Sequence, residues 1–92
     1  MKNLEQLRKS AMKLGAKDFG LSWRKNKRFY VDWEGTIIHF GSKNGKTFID
    51  HYDEKKKKDW QARHSKIKIG DGRFAYKVKD SPEYWSWHLN WT

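Results

Sequence analysis

Lys55, Lys56, Lys57 and Lys58 form an unbroken run, and Arg63, Lys66 and Lys68 follow along the same stretch of chain. Arg24, Lys25, Lys27 and Arg28 make a second cluster. Cations gathered this way suit a phosphate backbone. Each one that neutralises a phosphate releases a condensed counterion, so binding is tight at low salt and falls steeply as salt rises. Lysine far outnumbers arginine, and an ammonium is a point charge without the bidentate fork of a guanidinium. That balance favours sequence-independent contact over base readout. The residues assigned to such contacts are Arg24, Arg28, Lys57, Lys58, Arg63, Lys66 and Lys68. The plainer reading is a solvated lysine face that aids solubility or meets an acidic protein. Both readings stand.

Aromatic side chains could add base stacking, each stack being worth ~1–3 kcal/mol. Trp23, between Ser22 and Arg24, is the candidate; Trp87 is also uncommitted, whereas Trp33, Trp60, Trp85 and Trp91 are expected in the core. His39, His51, His64 and His88 include no pair at the short spacings of a local metal site, and there is no cysteine. His64, beside Arg63, is the histidine most open to a chemical role. NGKT (44–47) has only the tail of a phosphate-loop pattern. No catalytic residue, metal or cofactor is expected, and the chain does not read as an enzyme.

These residues need a scaffold. The 92 residues carry a formal charge of +10, and Leu, Ile, Val and Phe number only 17 among them. So few aliphatics with so much charge point toward disorder, but six Trp and four Tyr supply large buriable surfaces. One small folded domain with an aromatic-rich core follows. No apolar run reaches the ~20 residues of a membrane span, and no secretory leader is evident; an intracellular setting is expected.

Leu4, Leu7, Ala11 and Leu14 share one helical face, with an Asn3/Gln6 capping-box pattern in front and Gly15 behind. Residues 1–17 form an amphipathic helix that either packs peripherally on the domain or pairs with a second copy through residues 4–14. RFYVDWEGTIIHFG (28–41) reads as a hairpin about Glu34-Gly35, pairing Trp33 with Thr36, Val31 with Ile38 and Phe29 with Phe40. SKNGK (42–46) is a turn. Asp53 caps a helix from Glu54 to about Ser65, whose lysine-rich first turn opposes the helix dipole. KIKIGDGRFAYK (66–77) suggests a second hairpin about Asp71-Gly72, pairing Ile69 with Phe74 and Ile67 with Tyr76. Ser81, Pro82 and Glu83 open a C-terminal helix, although the alternating tryptophans also fit a strand. The expected fold is α+β: two antiparallel hairpins packed by the central helix and the aromatic C-terminus. Its core holds Phe29, Val31, Trp33, Ile38, Phe40, Trp60, Ile67, Ile69, Phe74, Tyr76 and Leu89.

IIHFG (37–41), IDHYDEKKKKDWQARHSKI (49–67), DGRFAYK (71–77) and SPEYWSWHLNW (81–91) together resemble a family of small proteins of large nucleocytoplasmic DNA viruses and some tailed phages. The resemblance spans about residues 28–91; Asn90 stands where that family usually has an apolar residue. It implies a viral protein, in the virion or the infected cell, and brings no activity with it. Three functions remain: a non-enzymatic nucleic-acid binder, with DNA favoured; a virion structural or adaptor protein meeting acidic partners; and, third, a small metal-dependent nuclease using His64.

Overall fold

The computed structural model describes residues 3–43 and 45–91. Lys2, within the expected 1–17 helix, and Asn44, within the expected 42–46 turn, lie outside the described residues. Helix α1 (Leu4–Lys13) starts with the expected capping box: the Asn3 side chain accepts from the Gln6 N–H at 2.9 Å, and Gln6 Oε1 accepts from the Asn3 N–H at 3.0 Å. It ends where Gly15 turns left-handed at φ 106°, letting the Gly15 and Ala16 N–H groups return to the carbonyls of Met12 and Ala11. The helix is no appendage. Leu7 and Ala11 are buried in the common core and Leu14 packs against it, which leaves Leu4 alone of the four stripe residues exposed.

A three-stranded antiparallel sheet of order β1-β2-β3 follows, built from β1 (Asp18–Leu21), β2 (Lys27–Trp33) and β3 (Thr36–Ser42). β2 and β3 are the expected hairpin in the expected register, with Trp33 opposite Thr36, Val31 opposite Ile38 and Phe29 opposite Phe40. Glu34 and Gly35 both take positive φ, 50° and 81°, as the twist of a two-residue hairpin demands. β1 is an addition that periodicity did not announce. It aligns Phe19 with Val31 and Gly20 with Tyr30, dropping the Phe19 ring into the core.

The core joins Phe19, Phe29, Val31, Ile38 and Phe40 of the sheet to Leu7, Ala11, Ile49, Tyr84, Trp85 and Leu89. The favoured C-terminal helix forms. Ser81 accepts from the Glu83 N–H at 3.1 Å, Pro82 leads α4 (Pro82–Trp85), and the helix widens into a π-helical turn, Ser86–Asn90. Trp85 is wholly buried, and its Nε1 donates to the Lys79 carbonyl at 2.8 Å.

The second hairpin does not form strands. Lys68 and Phe74 make one isolated bridge, and the connection is Gly70-Asp71-Gly72, with Gly72 at φ 90° and the Ile69 N–H bonded to Arg73 O. Asp71 causes the slip by accepting from the backbone N–H and the Nε of Arg73. Ile69 therefore faces Arg73, not Phe74. With no third strand to cover the segment, Ile67 and Phe74 are exposed, while Ile69, Tyr76, Trp33 and Trp60 are half-buried. Among the described residues no helix is long and apolar enough to cross a membrane.

Candidate nucleic-acid interface

Helix α2 (Phe48–His51) leads into α3 (Glu54–His64), which Asp53 caps by accepting from the Lys55 and Lys56 N–H groups at 3.0 and 3.2 Å. Those backbone bonds hold the Asp53 carboxyl below its ordinary range. No residue of α3 is fully buried. Its inner edge carries Lys57, Trp60, Gln61 and His64, half-buried, while Lys55, Lys56, Lys58, Asp59, Ala62 and Arg63 face solvent.

Aromatic contact fastens this helix to the C-terminal turn. The Trp60 ring lies nearly parallel to His64 at 4.0 Å and to Trp91 at 4.8 Å. Gln61 Nε2 donates to the Trp91 carbonyl at 3.1 Å, and His64 Nδ1 pairs with Glu83 Oε1 at 2.5 Å. A carboxylate on one imidazole nitrogen can orient a base, but here the ring is also pressed flat against an indole, which gives the pair a clear structural role. Among the described residues no three His, Asp or Glu side chains converge as a metal site requires.

Two adjoining clefts flank the junction. A cleft of about 440 Å³ is lined by Lys46, His51, Lys56, Asp59, Arg63 and Trp91. Its neighbour, about 340 Å³, shares Lys46 and Trp91 and adds Lys27, Ser42, Trp60, His64 and Asn90 among others. Three cations thus meet one carboxylate in the larger cleft. Among the described residues the ion pairs take Arg8, Arg28, Arg73 and His64, and no lysine. Among the described residues the lysine charge is therefore not cancelled by bonded carboxylates.

The residues picked from the sequence separate. Arg63 lies in the larger cleft. Lys57 turns inward, its Nζ 4.6 Å from the centre of the Phe48 ring. Lys58 and Lys66 are exposed. Lys68 lies over Phe74 at 5.2 Å, in the loop that replaces the second hairpin. Arg28 is committed elsewhere: Nη1 and Nη2 donate to the two oxygens of Asp50 at 2.6 and 2.8 Å. Asp50 also accepts from the Thr47 N–H at 2.8 Å, and these partners, Arg28 foremost, pull its carboxyl down to about 2. Arg28 is thus a tie between β2 and α2, not a free phosphate contact. Lys27, Lys46, Lys56 and His51 join the site instead. Helical spacing could have found Lys56, since Trp60 and His64 turn Lys57 inward and leave Lys56, Asp59 and Arg63 on one flank.

Arg24 stands apart from the clefts, beside Trp23. Trp23 is 67% exposed, with its ring 4.9 Å from Tyr30 and edge-on to His39 at 4.7 Å. Burial, with the charges of Arg24 and Lys27, pushes the His39 imidazole below its ordinary pKa. Deep in the smaller cleft, the amide of Asn90 is wholly buried, and neither its Nδ2 nor its Oδ1 has a partner among the described residues. Gly41 makes room for it, since a Cβ there would stand 2.8 Å from Asn90 Nδ2.

Residues 17–64 match the model of a family of unknown function (DUF5754). That span is more than half of the chain, and the chain belongs to this family. The match covers the whole sheet, α2 and α3, beginning ahead of the segment that carries the viral resemblance. Neither a curated protein nor a solved structure shows significant similarity to the chain.

Proposed function

We propose that the chain binds nucleic acid without transforming it, by sequence-independent contact of Lys46, Lys56 and Arg63 with backbone phosphates. Lys27 extends the contact into the smaller cleft, and Lys58 and Lys66 flank it along α3 and its exit. The observation that supports this reading is the convergence of three cations from two segments on one cleft, in a protein of charge +10 whose described lysines form no ion pair. Helix geometry alone would not bring Lys46 to Lys56 and Arg63. Phosphodiester chains fit such a surface because its cations displace their condensed counterions, and the lysine excess suits contacts that carry no sequence information. The viral resemblance supports a viral genome as the nucleic acid, met in the particle or the infected cell.

Salt titration of DNA binding is the test. With a B-form duplex as the probe, the wild type should bind at about 50 mM salt and release steeply toward about 200 mM, the logarithmic slope being about −0.9 per phosphate neutralised. Lys46→Glu/Lys56→Glu/Arg63→Glu should flatten that slope by about 3 × 0.9, or roughly 2.7. A control with the same charge change on α1 and its exit, Lys9→Glu/Lys13→Glu/Lys17→Glu, should retain the wild-type slope. Equal effects of the two triple variants would show only bulk charge. Binding of an acidic protein with no DNA binding at low salt would overturn the proposal in favour of an adaptor.

A further inference from the structure

We infer that the open face of the sheet around Trp23 stacks an unpaired base, so that the strand bound is single-stranded DNA. The inference rests on the backbone-binding reading above and gives it a substrate form. Every other tryptophan is half-buried or buried, although apolar surface is scarce in this chain; Trp23 leaves two thirds of its surface in solvent. The fold makes little use of it as core.

It is nevertheless held in place. Ser22 Oγ shares a 2.8 Å hydrogen bond with His39 Nδ1 and accepts from the Arg24 N–H at 3.0 Å, which fixes the backbone on both sides of Trp23. Beneath it, Tyr30 lies across Gly20, where any Cβ would stand 2.9 Å from the Tyr30 ring. The Tyr30 hydroxyl donates to Asp18 Oδ2 at 3.0 Å. Gly20, Tyr30 and His39 are aligned across the three strands, so the indole stands on an ordered support, tilted to Tyr30 and edge-on to His39. A ring immobilised before binding loses little freedom when a base covers it.

Charge leads from this platform to the clefts. Arg24 and Lys25 follow Trp23 directly, exposed, and the charges of Arg24 and Lys27 both reach His39. Lys27 also lines the smaller cleft with Lys46, and Lys46 lines the larger one with Lys56 and Arg63. A strand with one base on Trp23 therefore has cations ahead of its backbone. A duplex hides its base faces and can use the cations alone.

The experiment measures fluorescence anisotropy of labelled oligo-dT, a duplex of equal length and an abasic strand of equal length. Wild type, Trp23→Ala and Trp23→Phe are compared, with circular dichroism confirming that each is folded. Trp23→Ala should weaken oligo-dT binding about 5- to 150-fold, the range for loss of one stack, while duplex and abasic affinities stay within about twofold and Trp23→Phe keeps most of the binding. Unchanged oligo-dT affinity in Trp23→Ala, or equal losses on all three probes, overturns the stacking site and leaves backbone binding standing. Failure of the wild type to bind any probe at low salt overturns both. An RNA strand bound tenfold tighter than oligo-dT overturns the assignment to DNA.

Discussion

Replacing Asp50 by asparagine isolates what the tie to Arg28 contributes. Asp50 is mostly buried, its side chain 14% exposed, and it receives both guanidinium nitrogens as well as the Thr47 N–H. Its carboxyl lies at about 2 in the folded chain against 3.8 for a free one. At ~1.4 kcal/mol per unit, that gap corresponds to about 2 kcal/mol of folding stability at neutral pH. The sign follows from the depressed value: the contribution is complete well above 3.8 and is lost as pH falls toward 2. By pH 3 roughly half of it should be gone. Urea unfolding of the wild type and Asp50→Asn, followed from pH 7 to pH 3, should show a difference of about 2 kcal/mol that narrows to about half. A difference below about 0.5 kcal/mol at pH 7, or one that does not shrink with acid, would refute the reasoning. Freeing Arg28 should leave DNA affinity unchanged or raised, because the paired guanidinium is not part of the proposed contact surface.

Two glycines separate steric from conformational effects. Gly41→Ala adds a Cβ 2.8 Å from Asn90 Nδ2 at φ 78°, whereas Gly35→Ala meets nothing within 4 Å at φ 81°; thermal unfolding should show the Gly41 variant less stable than the Gly35 one, whose loss should be about 1 kcal/mol. Asn90→Leu keeps a branched side chain while removing an unpartnered buried amide, so its urea midpoint should be unchanged or higher; a fall equivalent to more than about 1 kcal/mol would mean that the amide is bonded in solution. The cleft and Trp23 variants complete the set, through the salt slope and the strand preference described above.

The elements with strong local chemistry were legible in the sequence. The capping box of α1, the Asp53 cap of α3, the Ser81-Pro82 start of α4 and the 28–41 hairpin each rest on residues a few positions apart, and each forms. β1 was not legible, because Asp18–Leu21 is short, contains a glycine and owes its pairing to β2. The 66–77 segment misled for the opposite reason. Asp71-Gly72 is a strong turn signal, yet the carboxylate bonds to Arg73 and shifts the register by one residue. The charge of the candidate site was legible, but the place where it gathers was not. Nothing local shows that Arg28 will meet Asp50, or that Lys46 will face Lys56 and Arg63, since those meetings depend on how α2 and α3 settle against the C-terminal turn.

The parallel indoles of Trp60 and Trp91 carry a practical consequence. Rings whose faces stack 4.8 Å apart shield one another from water while α3 is seated, so the near-ultraviolet circular dichroism and fluorescence of the pair should change when that helix lifts. Because α3 has no fully buried residue and meets the C-terminal turn through this stack, that change reports the seating of one helix. The protein thus holds an internal optical gauge at the wall both clefts share.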